Sequence, residues 1–363
     1  MNLRSWFPQI THMSRVALAL SHTDSIEDKE MLPARPSRLR SPRSILLCYV
    51  SCILLCLCLA LSAHAEKQVK LVLHWYPQAQ FAGYYMAVEK GFYSSRGLDV
   101  QILPGGADIG PFDWLEQGKA DFALGFLSTA IQRRDAGLDV VHVGQLVHDS
   151  ALMLIAHQKS GIRSLADLAG TRVGVWGTDF QIQPRALFKQ QNIRATIIQQ
   201  APSMDLFMRG GLDVVSAMWY NEYHTLMSYG LEQSEMTTFF FRDLGLNFPE
   251  DGLYCRRSAH MTPQTIDAMR KGTAEGWDYV FAHPDEALEL VLRVMKANKV
   301  RANRSHQRWM LARMRDIILT GGRKNTDLTL SEKAFGQASQ VLLAGGFIRA
   351  ILPYEDFIWQ DRP

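Results

Sequence analysis

The chain has 363 residues, of which 47% are hydrophobic and 21% are charged, so it holds enough apolar material for two domains or one large α/β unit. This composition excludes a disordered, a collagen-like and a disulfide-framework protein. Its formal net charge of +3 arises in residues 1–65, where seven basic residues outnumber four acidic ones, whereas residues 66–363 hold 32 of each sign. This even balance gives no indication of a nucleic-acid-binding surface.

The N-terminal segment has the order of features found in a secretory signal peptide. Four arginines, the last of them Arg43, precede an apolar stretch at residues 45–61, and a small-x-small motif, Ala-His-Ala, follows at residues 63–65. This order predicts that residues 1–65 are a leader and signal peptide that is cleaved before Glu66. Because the apolar stretch is only somewhat shorter than the ~20 residues of a bilayer span, an uncleaved anchor is the alternative.

Cysteine usage agrees with export. Four of the five cysteines lie inside the apolar stretch, and only Cys255 remains in the rest of the chain. The mature protein can therefore form no internal disulfide, although we expect it in the periplasm or another extracytoplasmic compartment. No second stretch is apolar and long enough to span a bilayer.

The rest of the chain passes repeatedly from a helix to a strand. The pattern Gly-Leu-Asp-Val occurs at residues 97–100, 137–140 and 211–214, where Gly suits the left-handed end of a helix and Val opens a strand. Short apolar runs predict eight strands, at residues 69–73, 100–103, 122–125, 140–145, 173–176, 196–199, 214–219 and 237–241. This alternation predicts an α/β fold with mainly parallel sheets flanked by helices.

From residue 261 onward the pattern changes to helices alone. Four helices are predicted there by their start signals or by apolar spacing: Thr262-Pro263, His283-Pro284 with two acidic residues after it, Met310 to Ile318, and a capping box of Thr329 with Glu332. A cap, a Pro in the first turn and early acidic residues are all typical of helix starts. The chain therefore ends in a helical tail.

We expect two lobes joined by two crossings of the chain. Lobe 1 is predicted at residues 66–155 and 250–363, which include the helical tail, and lobe 2 at residues 156–249. The crossings are predicted near residues 151–158 and 248–254. The tail is assigned to lobe 1 because packing there is the simplest way to bury its apolar faces.

No motif for catalysis or for metal binding stands out. The sequence has no G-x-S-x-G elbow and no H-E-x-x-H motif, and its 11 histidines are scattered. We therefore predict no catalytic residue and no metal site. The alternative is an enzyme, although the sequence shows no recognisable set of catalytic residues.

Aromatic and polar side chains follow several predicted strands at their carboxyl ends. Ligands of open parallel sheets bind in the crevice beyond these ends, where aromatic faces stack on a flat ligand and carboxylates or amides bind its polar edge. The predicted ligand-binding residues are Trp75, Phe126, Ser128, Asp179, Gln181, Trp219, Glu222 and Asp251. The two tryptophans are expected to offer aromatic surface, and Asp179 and Glu222 to accept hydrogen bonds from amino or ring N–H groups. In the alternative, the tryptophans fill the core and the carboxylates cap helices.

Several segments resemble one superfamily of binding proteins. They are residues 69–77 (VKLVLHWYP), 81–85 (FAGYY), 89–93 (EKGFY), 118–122 (GKADF), 165–174 (LADLAGTRVG) and 221–222 (NE). The superfamily contains periplasmic binding proteins for thiamine pyrimidine precursors and for sulfonates, and also the thiamine pyrimidine synthases of fungi. The resemblance implies a two-lobed periplasmic-binding-protein fold, similar to type II, with a small planar ligand between the lobes.

The resemblance also implies partners and a ligand. A binding protein of this kind hands its ligand to the permease and ATPase of an ABC importer, and would meet the membrane only through that transporter. A thiamine pyrimidine precursor suits the aromatic and carboxylate residues best. A ligand-sensing subunit of a signalling system is the alternative within binding.

The same resemblance implies an enzymatic alternative, a synthase that forms hydroxymethylpyrimidine phosphate. The fungal synthases are understood to use a Lys and a His of their own chain with pyridoxal phosphate and iron. Alignment places Gly125 at the position of that Lys and Thr129 at that of the His, and only Cys255 where the synthases carry a cysteine cluster. Because Gly cannot form a Schiff base, we expect a binding protein without a cofactor.

Overall fold

The computed structural model describes residues 66–258 and 260–360, and only the backbone of Thr178 and Asp179. The predicted leader and signal peptide lie outside the described residues. Within these two ranges, no helix combines the length and the hydropathy that a bilayer span requires.

Strands and helices alternate along the first two thirds of the described residues, and helices follow. The strands are β1 (Lys67–Val72), β2 (Leu98–Leu103), β3 (Phe122–Gly125), β4 (Val140–Val147), β5 (Leu152–His157), β6 (Arg172–Val175), β7 (Thr196–Gln199), β8 (Val214–Met218), β9 (Met236–Phe240) and β10 (Glu250–Arg256). The α-helices are α1 (Ala82–Glu89), α2 (Pro111–Glu116), α3 (Leu127–Asp135), α4 (Ile182–Gln190), α5 (Asp205–Met208), α6 (Glu222–Ser228), α7 (Pro263–Ala282), α8 (Pro284–Ala297), α9 (Arg304–Ile318), α10 (Glu332–Ala344) and α11 (Tyr354–Phe357).

The first sheet has the strand order β2-β1-β3-β10-β4. β1 pairs in parallel with β2 and β3, whereas β10 pairs antiparallel with β3 and β4. Four strands therefore run in one direction and β10 runs against them. β4 is buried along its whole length, as expected for a sheet that is covered on both faces.

The second sheet has the strand order β7-β6-β8-β5-β9. β6 pairs in parallel with β7 and β8, whereas β5 pairs antiparallel with β8 and β9. Here too four strands share one direction and one strand opposes them. The predicted α/β class, with mainly parallel sheets and a helical tail, is confirmed.

The two opposing strands are the ones that enter a sheet after a crossing. All eight predicted strands are present within two residues of their predicted bounds, but β5 and β10 were not predicted. The crossings predicted near 151–158 and 248–254 therefore fall on strands, and the connections between the sheets lie earlier, at residues 148–151 and 241–249.

The direction of these strands has a geometric cause. β4 and β9 both end at the carboxyl edge of their sheets, where the chain crosses to the other sheet. It enters the new sheet at that sheet's own carboxyl edge, so the next strand runs antiparallel to its neighbours. The strands of the first sheet lie within residues 67–147 and 250–256, and those of the second sheet within residues 152–240. The lobe boundaries given above stay a prediction.

The helical tail packs on the helices of the first sheet. α7 and α8 both contact α1, and α10 contacts α3. The contact of α7 with α1 is close, because a Cβ on Gly276 would lie 2.2 Å from the carbonyl oxygen of Gly83, and a Cβ on Gly83 would lie 2.3 Å from the Trp277 ring. Both glycines therefore set the distance between these helices.

Two predicted helix caps have different outcomes. Thr262 caps α7 as predicted, with its side chain accepting a hydrogen bond from the backbone N–H of Thr265. The capping box of Thr329 with Glu332 is wrong. α10 begins at Glu332 itself and is capped by Ser331, which is one residue before the helix and so within reach of its free N–H groups.

Candidate functional site

Polar and aromatic side chains from both sheets enclose a small cavity, called here the inner cavity. They follow β1 in the first sheet and the ends of β6 and β8 in the second. The lining residues are His74, Trp75, Gln78, Gln80, Trp176, Phe180, Met218, Tyr220, Asn221 and Glu222. The volume is about 10 Å³, which is room for about one water. A larger molecule can enter only if the two walls move apart.

A hydrogen-bond network around Asp251 forms the wall on the side of the first sheet. His74 Nε2 lies 2.8 Å from Asp251 Oδ1, and the Gln80 amide donates to Oδ2 at 2.9 Å. Gln78 donates to Gln80 Oε1 at 2.7 Å, which turns the Gln80 N–H groups towards Asp251. We assign His74 as the tautomer protonated on Nε2, because that nitrogen faces Asp251 Oδ1 whereas Nδ1 has no partner among the described residues.

Two features of this network are unusual. Asp251 has a φ of 52°, in the left-handed region that residues other than glycine seldom adopt, and such strain is concentrated at functional sites. His74 is only 4% exposed, yet its Nδ1 has no hydrogen-bond partner among the described residues. In the assigned tautomer this atom is a free acceptor at the cavity wall.

Glu222 closes the cavity from the second sheet. It directly follows the β8 turn as the first residue of α6 and is 5% exposed. Its Oε2 accepts from the Met218 N–H at 2.9 Å, and its Oε1 accepts from the Asn221 amide at 2.6 Å. Burial among these neutral donors raises the pKa of Glu222 to about 7. Near neutral pH this carboxyl group can therefore accept or donate a hydrogen bond.

The helical tail holds the Glu222 wall in place. His306 of α9 has its Nε2 2.8 Å from Asn221 Oδ1 and its Nδ1 2.9 Å from His224 Nδ1. Burial, with the neighbouring His224, lowers the pKa of His306 to about 4. His306 is therefore neutral at ordinary pH and fixes Asn221 without adding a positive charge.

Three aromatic rings separate the inner cavity from a larger groove. The Phe180 ring lies 5.3 Å from that of Trp75 and 5.4 Å from that of Trp176, edge to face in both cases. The same three rings also line this outer groove of about 300 Å³, together with Tyr76, Ala107, Asp108, Gly177, Gln199, Gln200, Ala201 and Pro202. A molecule that moves from the outer groove into the inner cavity must pass these rings.

The structure brings four of the predicted ligand-binding residues to the inner cavity or directly behind it. Trp75 and Glu222 line it. Asp251 lies behind His74, as described above. Phe126 supports the same wall, with its ring 5.6 Å from that of His74 and 4.9 Å from that of Phe180.

Trp219, which is expected from the sequence to offer its ring to the ligand, lies apart from these four residues. Its ring lies 5.4 Å from the Arg242 guanidinium and 5.2 Å from that of Arg313, and it does not line the inner cavity. Met218, at the end of β8, and Tyr220 line the cavity. Trp219 and Tyr220 occupy the turn that the Asn221 N–H closes on the Met218 carbonyl oxygen at 3.0 Å.

Ser128 and Gln181 do not line the inner cavity. Ser128 is buried in α3, without a hydrogen-bond partner for its hydroxyl among the described residues. Gln181 accepts from Arg185 Nε at 2.9 Å. The side chain of Asp179 lies outside what the structure describes.

Sequence reasoning missed several lining residues. They are His74, Gln78, Gln80, Trp176, Phe180, Met218, Tyr220 and Asn221. Trp176 ends a predicted strand, and Phe180 and Tyr220 come soon after predicted strands, so their positions could have made them candidates. Gln78 and Gln80 lie in an irregular segment after β1, where no periodic pattern assigns a direction to a side chain.

The residues present do not fit the pyridoxal phosphate and iron of the fungal synthases. Gly125, at the end of β3, offers no amine, and no lysine is among the described residues that line the inner cavity. Cys255 is a single buried thiol. In the described ranges, no three His, Cys, Asp or Glu side chains are grouped so that they could hold a metal ion. The expectation of a protein without a cofactor stays a prediction.

Comparison with known proteins gives one family and one fold. The family described as NMT1/THI5 like matches residues 78–287. A formylaminopyrimidine-binding protein of Halalkalibacterium halodurans is 25% identical over 239 residues, which cover 63% of this chain and 71% of that protein. A 4-amino-5-hydroxymethyl-2-methylpyrimidine phosphate synthase of Legionella pneumophila is 29% identical over 240 residues, 62% of this chain and 73% of that protein.

Solved structures agree on the fold. The periplasmic aliphatic sulphonate binding protein of Escherichia coli matches with a TM-score of 0.61 over 81% of this chain and 92% of its own, at 14% identity. At this identity the match concerns the fold alone. The periplasmic-binding-protein fold expected from the sequence is thereby confirmed.

Proposed function

The chain belongs to the NMT1/THI5-like family, and from this premise we propose that it is an extracytoplasmic solute-binding protein that delivers a small planar ligand to the permease and ATPase of an ABC importer. The fold supports a solute-binding role. The predicted signal peptide supports the location, since a binding protein of an importer works outside the cytoplasm.

The inner cavity is the observation that carries this proposal. It lies at the carboxyl ends of strands from both sheets, where ligands of such folds bind. Its walls combine four aromatic rings with the buried polar groups of Glu222 and His74. Among the lining residues no Ser, Cys or Lys stands beside a base, so the arrangement suits binding better than turnover.

A thiamine pyrimidine precursor is the ligand we propose. An aminopyrimidine ring is flat, and it could stack against Trp75 or Trp176. Its amino and ring N–H groups could donate to the Glu222 carboxyl and to His74 Nδ1, which has no partner among the described residues. The name of the Halalkalibacterium halodurans relative, a formylaminopyrimidine-binding protein, supports this ligand class.

Binding would require the two walls to separate and close again. The connections at residues 148–151 and 241–249 are the natural hinges, because the chain passes between the sheets there. A ligand shifts the population to the closed form only by binding it more tightly. Small-angle scattering is expected to show a smaller radius of gyration when ligand saturates the protein, and an unchanged radius would contradict the hinge.

A thermal-shift screen tests the binding function directly. Its compounds are 4-amino-5-hydroxymethyl-2-methylpyrimidine, thiamine, riboflavin, alkanesulfonates, nitrate and amino acids. A compound at 100 times its dissociation constant stabilises the fold by about 2.7 kcal/mol, and we expect the pyrimidine to do so. If no compound raises the melting temperature or gives heat in a titration, the proposed function fails.

Two alternatives have their own tests. A synthase would give a Schiff-base absorbance or a pyrimidine product when the purified protein is incubated with pyridoxal phosphate and iron, and we expect neither. A sensing role uses the same binding step, and genes beside this one discriminate it. A permease and an ATPase gene favour import, and a histidine kinase gene favours sensing.

A further inference from the structure

We propose that the inner cavity selects a ligand with a positive charge, either a compact planar organic cation or a heteroaromatic base that is bound as its conjugate acid. This inference rests on the proposed solute-binding function and specifies the charge of the solute. The fold does not determine the charge of the ligand, since the same fold occurs in the Escherichia coli sulphonate binding protein.

The first argument is the balance of charge. Among the described residues that line the inner cavity and the outer groove, none is Lys or Arg. Carboxyl groups are present at three depths. Asp108 lines the outer groove, Glu222 lines the inner cavity, and Asp251 lies behind His74. An anion that entered this path would meet carboxyl groups and no Lys or Arg among the described lining residues, which disfavours an anionic ligand.

The second argument is the lack of a counter-charge for Glu222. Among the described residues, its oxygens accept from the Met218 N–H and the Asn221 amide, which are both neutral. Two histidines lie near this wall. His306 contacts Asn221 and is held neutral by burial, and His74 lines the cavity and is paired with Asp251. A buried carboxylate without a cation is costly, so a cationic ligand would supply the missing partner.

The third argument is the surplus of acceptors. His74 Nδ1 is a buried acceptor without a partner among the described residues, and Glu222 adds a carboxyl group. The Trp176 indole N–H is the corresponding buried donor at the cavity, also without a partner among the described residues. A ligand rich in N–H donors satisfies this set better than one rich in oxygen acceptors.

The aromatic rings also favour a cationic ligand. Trp75, Trp176 and Phe180 meet edge to face around the entrance to the inner cavity. The faces of such rings attract cations, and this attraction is strongest in a desolvated site. An amidinium or an aminopyrimidinium group could therefore be held by a ring face and by the Glu222 carboxylate together. An aminopyrimidine is itself a weak base, so a thiamine pyrimidine precursor meets this condition once it is protonated on the ring.

Benzamidine, benzamide and benzoate test the charge alone. They have nearly the same size and shape, and they carry one positive charge, no charge and one negative charge. Each is titrated into the purified protein above the pKa of Glu222, by calorimetry or by ligand-observed NMR. We expect benzamidine to bind at least about tenfold more tightly than benzamide, and benzoate to bind most weakly.

Two variants locate the effect. Glu222→Gln keeps the shape of the side chain and is expected to bring benzamidine to within a few-fold of benzamide. Glu355→Gln removes an exposed carboxylate from α11 and is expected to leave the preference for benzamidine unchanged. A melting curve of each variant shows whether it is folded, and Glu222→Asp, which keeps the charge, is expected to retain part of the preference.

Several results would overturn the proposal. They are equal binding of the three compounds, tighter binding of benzoate, and a preference for benzamidine that survives in Glu222→Gln. If benzamidine fails to bind while the uncharged 4-amino-5-hydroxymethyl-2-methylpyrimidine binds without taking up a proton, the charge selection fails and the solute-binding function stands. If neither these compounds nor any in the thermal-shift screen binds, both proposals fail.

Discussion

Glu250 joins the two connections between the sheets by hydrogen bonds. Its titration gives the stability of the fold a predictable pH dependence. It is the first residue of β10 and is 1% exposed. Its Oε1 accepts from Ser150 Oγ at 2.6 Å, from Ala151 N at 3.0 Å and from Leu152 N at 3.2 Å. Its Oε2 has no partner among the described residues. Burial, the largest cause, raises the pKa of Glu250 from 4.5 to about 8.

The sign of the effect follows from this pKa. The folded protein holds the Glu250 proton more tightly than the unfolded chain does, so the contribution of Glu250 to stability is greatest below pH 4.5 and falls as the pH rises to about 8. At about 1.4 kcal/mol for each pH unit, the loss amounts to at most roughly 5 kcal/mol. Above pH 8 this contribution is constant.

The perturbation that isolates this effect is Glu250→Gln. The amide oxygen can still accept from Ser150, Ala151 and Leu152, but the side chain no longer titrates. We expect the free energy of unfolding of the wild type, measured by urea denaturation, to fall relative to that of the variant by several kcal/mol between about pH 5 and about pH 8.

A second variant separates charge from hydrogen bonding. Glu250→Ala leaves the buried N–H groups of Ala151 and Leu152 without an acceptor, at about 1–3 kcal/mol each, and this cost is independent of pH. Parallel pH profiles of the wild type and Glu250→Gln would refute the reasoning, because they would mean that Glu250 stays ionised in the folded protein.

Three further predictions concern the cavity and the helical tail. Trp75→Ala is expected to weaken ligand binding about tenfold or more, whereas the matched Trp219→Ala leaves the dissociation constant nearly unchanged. If calorimetry shows an equal loss of affinity in both variants, the site lies elsewhere. Glu222→Gln is expected to weaken binding of an N–H-donating ligand by about ten- to a hundredfold. Binding of benzamidine should also weaken as the pH falls below about 7, a dependence that this variant removes and that calorimetry over a pH series measures. Gly276→Ala is expected to lower the unfolding free energy by about 1–3 kcal/mol, because its Cβ would lie 2.2 Å from the Gly83 carbonyl oxygen; an unchanged denaturation midpoint would show that α1 and α7 can separate freely.

The sequence predicts strands well where a helix precedes them and poorly where the chain crosses between sheets. β3 and β7 have the predicted bounds, because a helix precedes each of them and a short apolar run marks the strand. β5 carries an apolar run too, but no α-helix directly precedes β5 or β10, and the sequence predicts connections at these positions. Their direction depends on how the two sheets meet, which is not a local property of the chain.

The candidate site shows the same division between local and non-local information. Trp75 and Glu222 follow predicted strands, and their positions alone point to the cleft. The network of His74, Gln80 and Asp251 could not be predicted, because it joins residues about 170 positions apart in the chain. The left-handed backbone that aims Asp251 into this network is likewise set by tertiary packing rather than by residue type.

The crystal structure of the protein with the tightest binder of the thermal-shift screen tests the central claim most directly. We predict that the ligand lies in the inner cavity, with its flat face against Trp75 or Trp176 and an N–H group within hydrogen-bond distance of the Glu222 carboxyl. A ligand bound only in the outer groove or on another face of the molecule, with the inner cavity walls still in contact, would contradict the account.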